Sequence, residues 1–292
     1  MKPGPSHPPK PVDLSSERQL LALLTLLMDE DPQVHLAIHD RFIAMGSTIT
    51  PWLRRQAAAA QPAERCRIRD ILNALARQTA DTDFLTLCLR EGEDLNLEHA
   101  AWLMAQTRYG DINPEGYGAL VDVFAGDIQP LLPANHDPET ILCAVNRILF
   151  ERLKFKGNEE NYYEEENSYL NRVIDRRTGN PISLSILYLL IARRLQLPIA
   201  GIGMPGHFLC RYQSTQGDWF IDAFNQGRVL SRAECVRYLN QTTHGYQESF
   251  LAPVTPRRIV MRVCSNLHQI YDRVGNAAEA TRIQRYIVAL AG

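Results

Sequence analysis

The chain has 292 residues, 45% of them hydrophobic and 22% charged, with a formal net charge of −2. That apolar content excludes general disorder and suffices for one large domain or two ordinary ones. A near-neutral balance lacks the basic footprint that a phosphate backbone demands, so nucleic acid is not the expected partner.

Met1 to Pro11 holds five prolines and no apolar run. It reads as a flexible leader over residues 1–14, neither secretion signal nor membrane anchor. No stretch of about 18 apolar residues occurs, because Arg193 and Arg194 interrupt Leu184 to Leu197. The expected protein is soluble, free of the membrane and cytoplasmic.

Residues 15–133 read as a helical region. Leu20, Leu23, Leu24, Leu27 and Met28 share one helical stripe, with Ser15 or Ser16 as its cap. After Asp31-Pro32, Val34, Ile38, Phe42 and Met45 recur at helical spacing until Gly46. Further runs cover Glu64 to Arg77, Phe84 to Arg90, Leu97 to Gln106 and Tyr117 to Phe124. The array is loosely similar to HEAT-type pairs, but no fixed repeat period is present. Pro130 to Pro138, with three prolines, is the expected boundary.

Residues 134–250 change character. A helix over Ile141 to Leu153 precedes the acidic loop Gly157 to Glu166, whose carboxylates read as a solvated surface run. Asn180-Pro181 starts an apolar helix reaching about Leu195: asparagine can cap free amides, and proline is tolerated where its missing N–H is not needed. Strands are expected at Ile199 to Ile202, Gly206 to Tyr212 and Asp218 to Ile221, with a turn at Gln216-Gly217, then a short helix capped by Ser231. Residues 251–292 carry two helical runs hinged at Gly275-Asn276, resembling one tetratricopeptide-type hairpin. The basic pairs Arg176-Arg177 and Arg257-Arg258 are expected to pair with acids.

The six cysteines, Cys66, Cys88, Cys143, Cys210, Cys235 and Cys264, are scattered without CxxC spacing. They read as buried thiols rather than disulfides or zinc ligands. His35 and His39, four apart on a helix, lack a third ligand, so no metal and no cofactor is expected.

A thiol-protease-type site needs a nucleophile at a helix start, a histidine base and an acid orienting that base. The last two are recognisable. A strand beginning near His207 follows the apolar helix, and the next strand ends near Asp222.

The segments Asn167-Ser-Tyr-Leu-Asn171, Arg177-Thr-Gly-Asn-Pro-Ile-Ser-Leu-Ser185, Met204-Pro-Gly-His-Phe-Leu209 and Phe220-Ile-Asp-Ala-Phe-Asn225 resemble the bacterial SirB-type transglutaminase-like family over roughly residues 138–241. The resemblance implies an α+β, papain-like core, a long helix on a small antiparallel sheet. In it His207 and Asp222 match the histidine and aspartate of the transglutaminase triad. The triad's cysteine is missing: counting back from Pro198 puts Pro181 at its place. Cys210 follows His207 by three residues, so strand alternation turns it to the other face.

Ser183, in the first helical turn, is the available substitute for a Ser183-His207-Asp222 set. The alternative is that Ser183 and Ser185 satisfy free backbone groups at the helix start. Likewise the His207–Asp222 pair is either catalytic or a structural hydrogen bond. The expected function is a non-catalytic protein-interaction or regulatory protein with a protein partner. The alternative is a hydrolase or acyl transferase acting on peptide or amide bonds.

Overall fold

The structure is a computed structural model that describes residues 14–133, 137–214 and 217–292. The expected leader, apart from Leu14, lies outside the described residues, as do Asn135 and His136 of the expected boundary and Gln216 of a turn. Two compact units are present, Met1–Thr79 and Ala80–Gly292.

The first unit is helical: α1 (Leu14–Leu26), α2 (Pro32–Ala44), α3 (Thr50–Ala59) and the start of α4 (Pro62–Arg90). α1 begins ahead of Ser15 and Ser16, so neither serine stands at its N-cap. α2 starts where it must, since Asp31 caps Gln33 N and Pro32 occupies the first turn. It ends where Gly46, at φ +69°, takes a conformation costly for any residue with a Cβ. Leu20, Leu24 and Leu27 converge on Phe42, Trp52 and Leu53 in a core of this unit's own. α4 corrects the expectation of two helices over Glu64 to Arg77 and Phe84 to Arg90. The polar stretch between them contains neither glycine nor proline, and nothing else there interrupts the backbone ladder.

In the second unit, α5 (Leu97–Arg108) and α6 (Pro114–Ile128) are capped by Asn96 and Asn113. Next come α7 (Pro138–Asn146), prolonged by a π-helical turn over Arg147–Arg152, and β1 (Lys156–Gly157). α8 (Leu170–Arg176) leads to β2 (Thr178–Gly179), which pairs with β1 in parallel. α9 (Pro181–Arg194) is buried almost all round. It packs on α6, α8 and the later α11 (Pro256–Arg273), and on the face of a four-stranded antiparallel sheet. That sheet runs β3 (Ile199–Met204), β4 (His207–Ser214), β5 (Gly217–Asp222) and β6 (Arg228–Leu230) in spatial order. α10 (Arg232–Gln241) follows, started by the reciprocal bonds of Ser231 and Glu234. α11 and α12 (Ala277–Ala291) form a hairpin around Gly275, at φ +73°.

The observed division falls at Thr79, well before the proline-rich run at Pro130 to Pro138. One continuous core, from Phe84 through Trp102, Phe124 and Tyr188 to Leu290, explains this. The apolar faces of α5 and α6 are buried against α8, α9 and α11, so they cannot belong to a separate helical layer.

Two expected ion-pairing residues behave otherwise. Arg177 lays its guanidinium over the rings of Phe124 and Phe155, at 5.1 and 4.8 Å from their centroids. Arg257 donates to four main-chain carbonyls. The acidic loop is likewise not merely solvated, because Glu164 and Glu166 bind Arg176 and Glu165 binds Arg108. Among the described residues, no helix is long and apolar enough to cross a membrane.

Candidate functional site

The pleat sorts the side chains of β4. Phe208, Cys210 and Tyr212 join the core shared with α9. Leu209 points the other way, into a smaller cluster with Ile202, Met204, Phe220, Cys235 and Leu239. His207, two residues before Leu209, opens that second face at the strand's first position. Asp222 ends β5, and its neighbour in β6 is Arg228.

The structure brings His207 and Asp222 together. His207 Nε2 lies 2.9 Å from Asp222 Oδ2. The His207 side chain is 15% exposed and that of Asp222 7%. The turn after β5 closes on the carboxylate: Asn225 N donates to Oδ1 at 3.1 Å and Asn225 Nδ2 to Oδ2 at 2.8 Å. Burial works against the charge on Asp222, but His207 and the two Asn225 bonds outweigh it and hold the carboxyl below its ordinary range. An ionised Asp222 can only accept, so Nε2–H of His207 donates to it, and Nδ1 is the nitrogen left to face a ligand.

Ser183 is placed elsewhere. Its hydroxyl donates to Asn167 O at 2.6 Å and accepts from Asn180 N at 3.1 Å, while its own amide donates to Asn180 Oδ1 at 2.9 Å. Serine and asparagine thus close a capping box at the start of α9. Ser185 is spent similarly, donating to Pro181 O at 2.8 Å. Among the described residues, no hydrogen bond or ring contact joins His207 to α9.

The thiols divide four to two: Cys88, Cys210, Cys235 and Cys264 are buried, but Cys66 and Cys143 are exposed, against the expectation that all are core residues. Cys143 sits on the outward side of α7, whose inward side carries Ile141, Leu142 and Val145. Cys210 Sγ faces Ser185 O across the sheet–helix interface, at 3.7 Å. Burial pushes its pKa up to about 12, and that of Cys235 up to about 11, so neither rests as a thiolate. In the folded protein, Cys66 and Cys143 alone are expected to be alkylated rapidly by iodoacetamide. Counting adducts by intact mass before and after denaturation checks this, and early modification of Cys210 or Cys235 would contradict it.

Residues that the sequence reading passed over complete the site. Phe224 meets the His207 ring edge-on at 6.2 Å and Tyr238 of α10 lies 6.1 Å from it. Phe224 also contacts Tyr162, at 5.9 Å. Gly157 makes room for Phe224, since a Cβ there would meet the ring at 2.6 Å. The loop bearing Tyr162 is tied to the start of α9 through Asn167, whose amide donates to Asn161 O and Tyr162 O while its carbonyl serves Ser183. Asn158 completes the tie by donating to Asn167 Oδ1 at 3.0 Å. The run of asparagines and serines in these motifs is therefore an architectural network that holds the Tyr162 loop against Phe224, beside His207. No group of three or more candidate metal ligands occurs among the described residues.

A buried apolar helix on an antiparallel sheet, with histidine and aspartate bonded across adjacent strand ends, is the framework of a papain-like, transglutaminase-like core. The chain belongs to the SirB-type transglutaminase-like family: the family model for the transglutaminase-like superfamily matches residues 115–265. It is 34% identical over 211 residues to a UPF0162 protein of Xylella fastidiosa, covering 70% of this chain and 75% of that one. F-box only protein 21 of Mus musculus is 37% identical over 143 residues, 46% of this chain and 22% of that protein. Protein SirB1 of Salmonella typhimurium is 28% identical over 107 residues, 36% of this chain and 38% of its own. No solved structure matches the chain.

Proposed function

We propose that this is a non-catalytic transglutaminase-like protein that holds a segment of a protein partner in the cleft around His207 and Asp222. The observation that carries this reading is the start of α9, where an acyl-accepting atom would have to stand. Proline occupies the first turn there, and the Ser183 hydroxyl is committed to Asn167 O. Acyl transfer needs a nucleophile within hydrogen-bond reach of its base. A hydroxyl bonded to a buried carbonyl has no such freedom. The His207–Asp222 pair then serves as a fixed polar floor, and the aromatic side chains around it supply contact area.

Three measurements test the reading. A fluorophosphonate probe should label neither the wild type nor Ser183→Ala, and neither should release ammonia from glutamine peptides above background. Ser183→Ala should cost about 1–2 kcal/mol in urea unfolding, because Asn167 O and Asn180 N each lose a buried partner. Labelling that disappears in Ser183→Ala would overturn the non-catalytic assignment.

A further inference from the structure

Around His207 stand three polar side chains, Tyr238, Tyr162 and Arg262, none of which has a carboxylate partner among the described residues. Tyr238 stands over the histidine and its hydroxyl reaches only the carbonyl of Pro205, at 3.4 Å. Tyr162 closes the opposite wall through Phe224. Arg262 of α11 donates to Met204 O at 3.3 Å, on the residue that pairs with His207 across β3 and β4. Burial pushes the Tyr162 and Tyr238 hydroxyls above the ordinary phenol range, and the Arg262 charge offsets part of that for each. Tyr162 and Tyr238 are 37% and 38% exposed, so both are open to solvent.

Of the five carboxylates within four residues of Tyr162, three are neutralised, Glu164 and Glu166 by Arg176 and Glu165 by Arg108. Asp222 is committed to His207 and Asn225. Glu159 and Glu160 line the neighbouring cleft together with Lys156. Arg262 has no carboxylate partner among the described residues, and neither does Arg273, which stacks on Tyr163 with its charge 3.8 Å from the ring centroid. A guanidinium, two phenol hydroxyls and the free Nδ1 of His207, walled by aromatic rings, complement a carboxylate carried next to an apolar side chain.

We propose that the cleft binds an acidic peptide segment, with a ligand carboxylate on Arg262 and the tyrosine hydroxyls and an adjacent apolar side chain against Tyr162, Phe224 and Tyr238. The proposal rests on the non-catalytic reading above and names its ligand class. A neutral amide offers Arg262 no charge, so glutamine in place of glutamate loses the charge-assisted bond.

The test uses the full chain and two fluorescein-labelled peptides of matched length, Ala-Leu-Glu-Leu-Glu-Ala and Ala-Leu-Gln-Leu-Gln-Ala, followed by fluorescence anisotropy. The acidic peptide should bind about tenfold more tightly than the amide one. Arg262→Gln should abolish that preference, and Tyr162→Phe should reduce it by about threefold, which keeps the test open if the arginine variant folds poorly. Arg152→Gln, on a surface ion pair outside the cleft, should leave it unchanged. Equal affinity for both peptides, an unchanged preference in folded Arg262→Gln, or no binding of the acidic peptide at about 1 mM would overturn the proposal. Preferred binding of the amide peptide with release of ammonia from it would instead sink the non-catalytic reading, so the two failures are distinct.

Discussion

Replacing Arg257 with alanine is expected to lower the unfolding free energy by about 3 kcal/mol, and Arg257→Lys to recover less than half of that. Helix ends leave carbonyls without partners and carry partial negative charge. One guanidinium answers four such groups here. It donates to Cys88 O at 2.9 Å and Glu91 O at 2.7 Å near the end of α4, and to Ala289 O at 2.9 Å and Leu290 O at 3.0 Å near the end of α12. All four bonds are charge-assisted, and three of them, to Cys88 O, Ala289 O and Leu290 O, are partly shielded from water. Removing the donor strands all four acceptors at once, whereas lysine, with a single ammonium, cannot span both helix ends. Urea unfolding of wild type, Arg257→Ala and Arg257→Lys checks the order. A loss under about 1 kcal/mol in the alanine variant would mean that water replaces the guanidinium without cost.

Asp222→Ala is the second large effect, also about 3 kcal/mol near neutral pH, with Asp222→Asn intermediate. The carboxylate takes one bond from His207 and two from Asn225. Its loss leaves the imidazole and the 222–228 turn without the group that orients them. The sign of the pH dependence follows from the lowered pKa of Asp222. A carboxylate held below its ordinary range contributes stability that is complete above its unfolded value, about 3.9, and is lost as pH falls through the lower folded value. Below about pH 5 the wild-type advantage over Asp222→Asn should therefore shrink steadily as the buffer is acidified. Chemical denaturation at a series of pH values measures it, and an advantage that grew on acidification would refute the assignment.

Much of the core was legible because it depends on local rules. Asn180-Pro181 announces a capped helix, and the three long strands lie within about two residues of the alternating segments that mark them. β6 was not legible: its three residues, Arg228–Leu230, are too few to show alternation and gain their strand character only by pairing with β5. α8 was hidden for a related reason, as a seven-residue helix whose buried positions are dictated by α5 and α9. The site divided in the same way. His207 and Asp222 stood out through their strand positions, but Tyr162, Tyr238 and Arg262 lie on three elements far apart in the chain. No spacing in the sequence joins them.

The sequence by itself determined the element types over most of the chain, the absence of a thiol from the first turn of the apolar helix, and the family. These follow from residue chemistry and short-range periodicity. Only the tertiary structure decided where Ser183 spends its hydroxyl, which thiols face water, and which side chains surround the imidazole. A hydroxyl takes the nearest buried acceptor, here a carbonyl 16 residues away, and a cleft is walled by whatever the packing of separate helices and loops delivers.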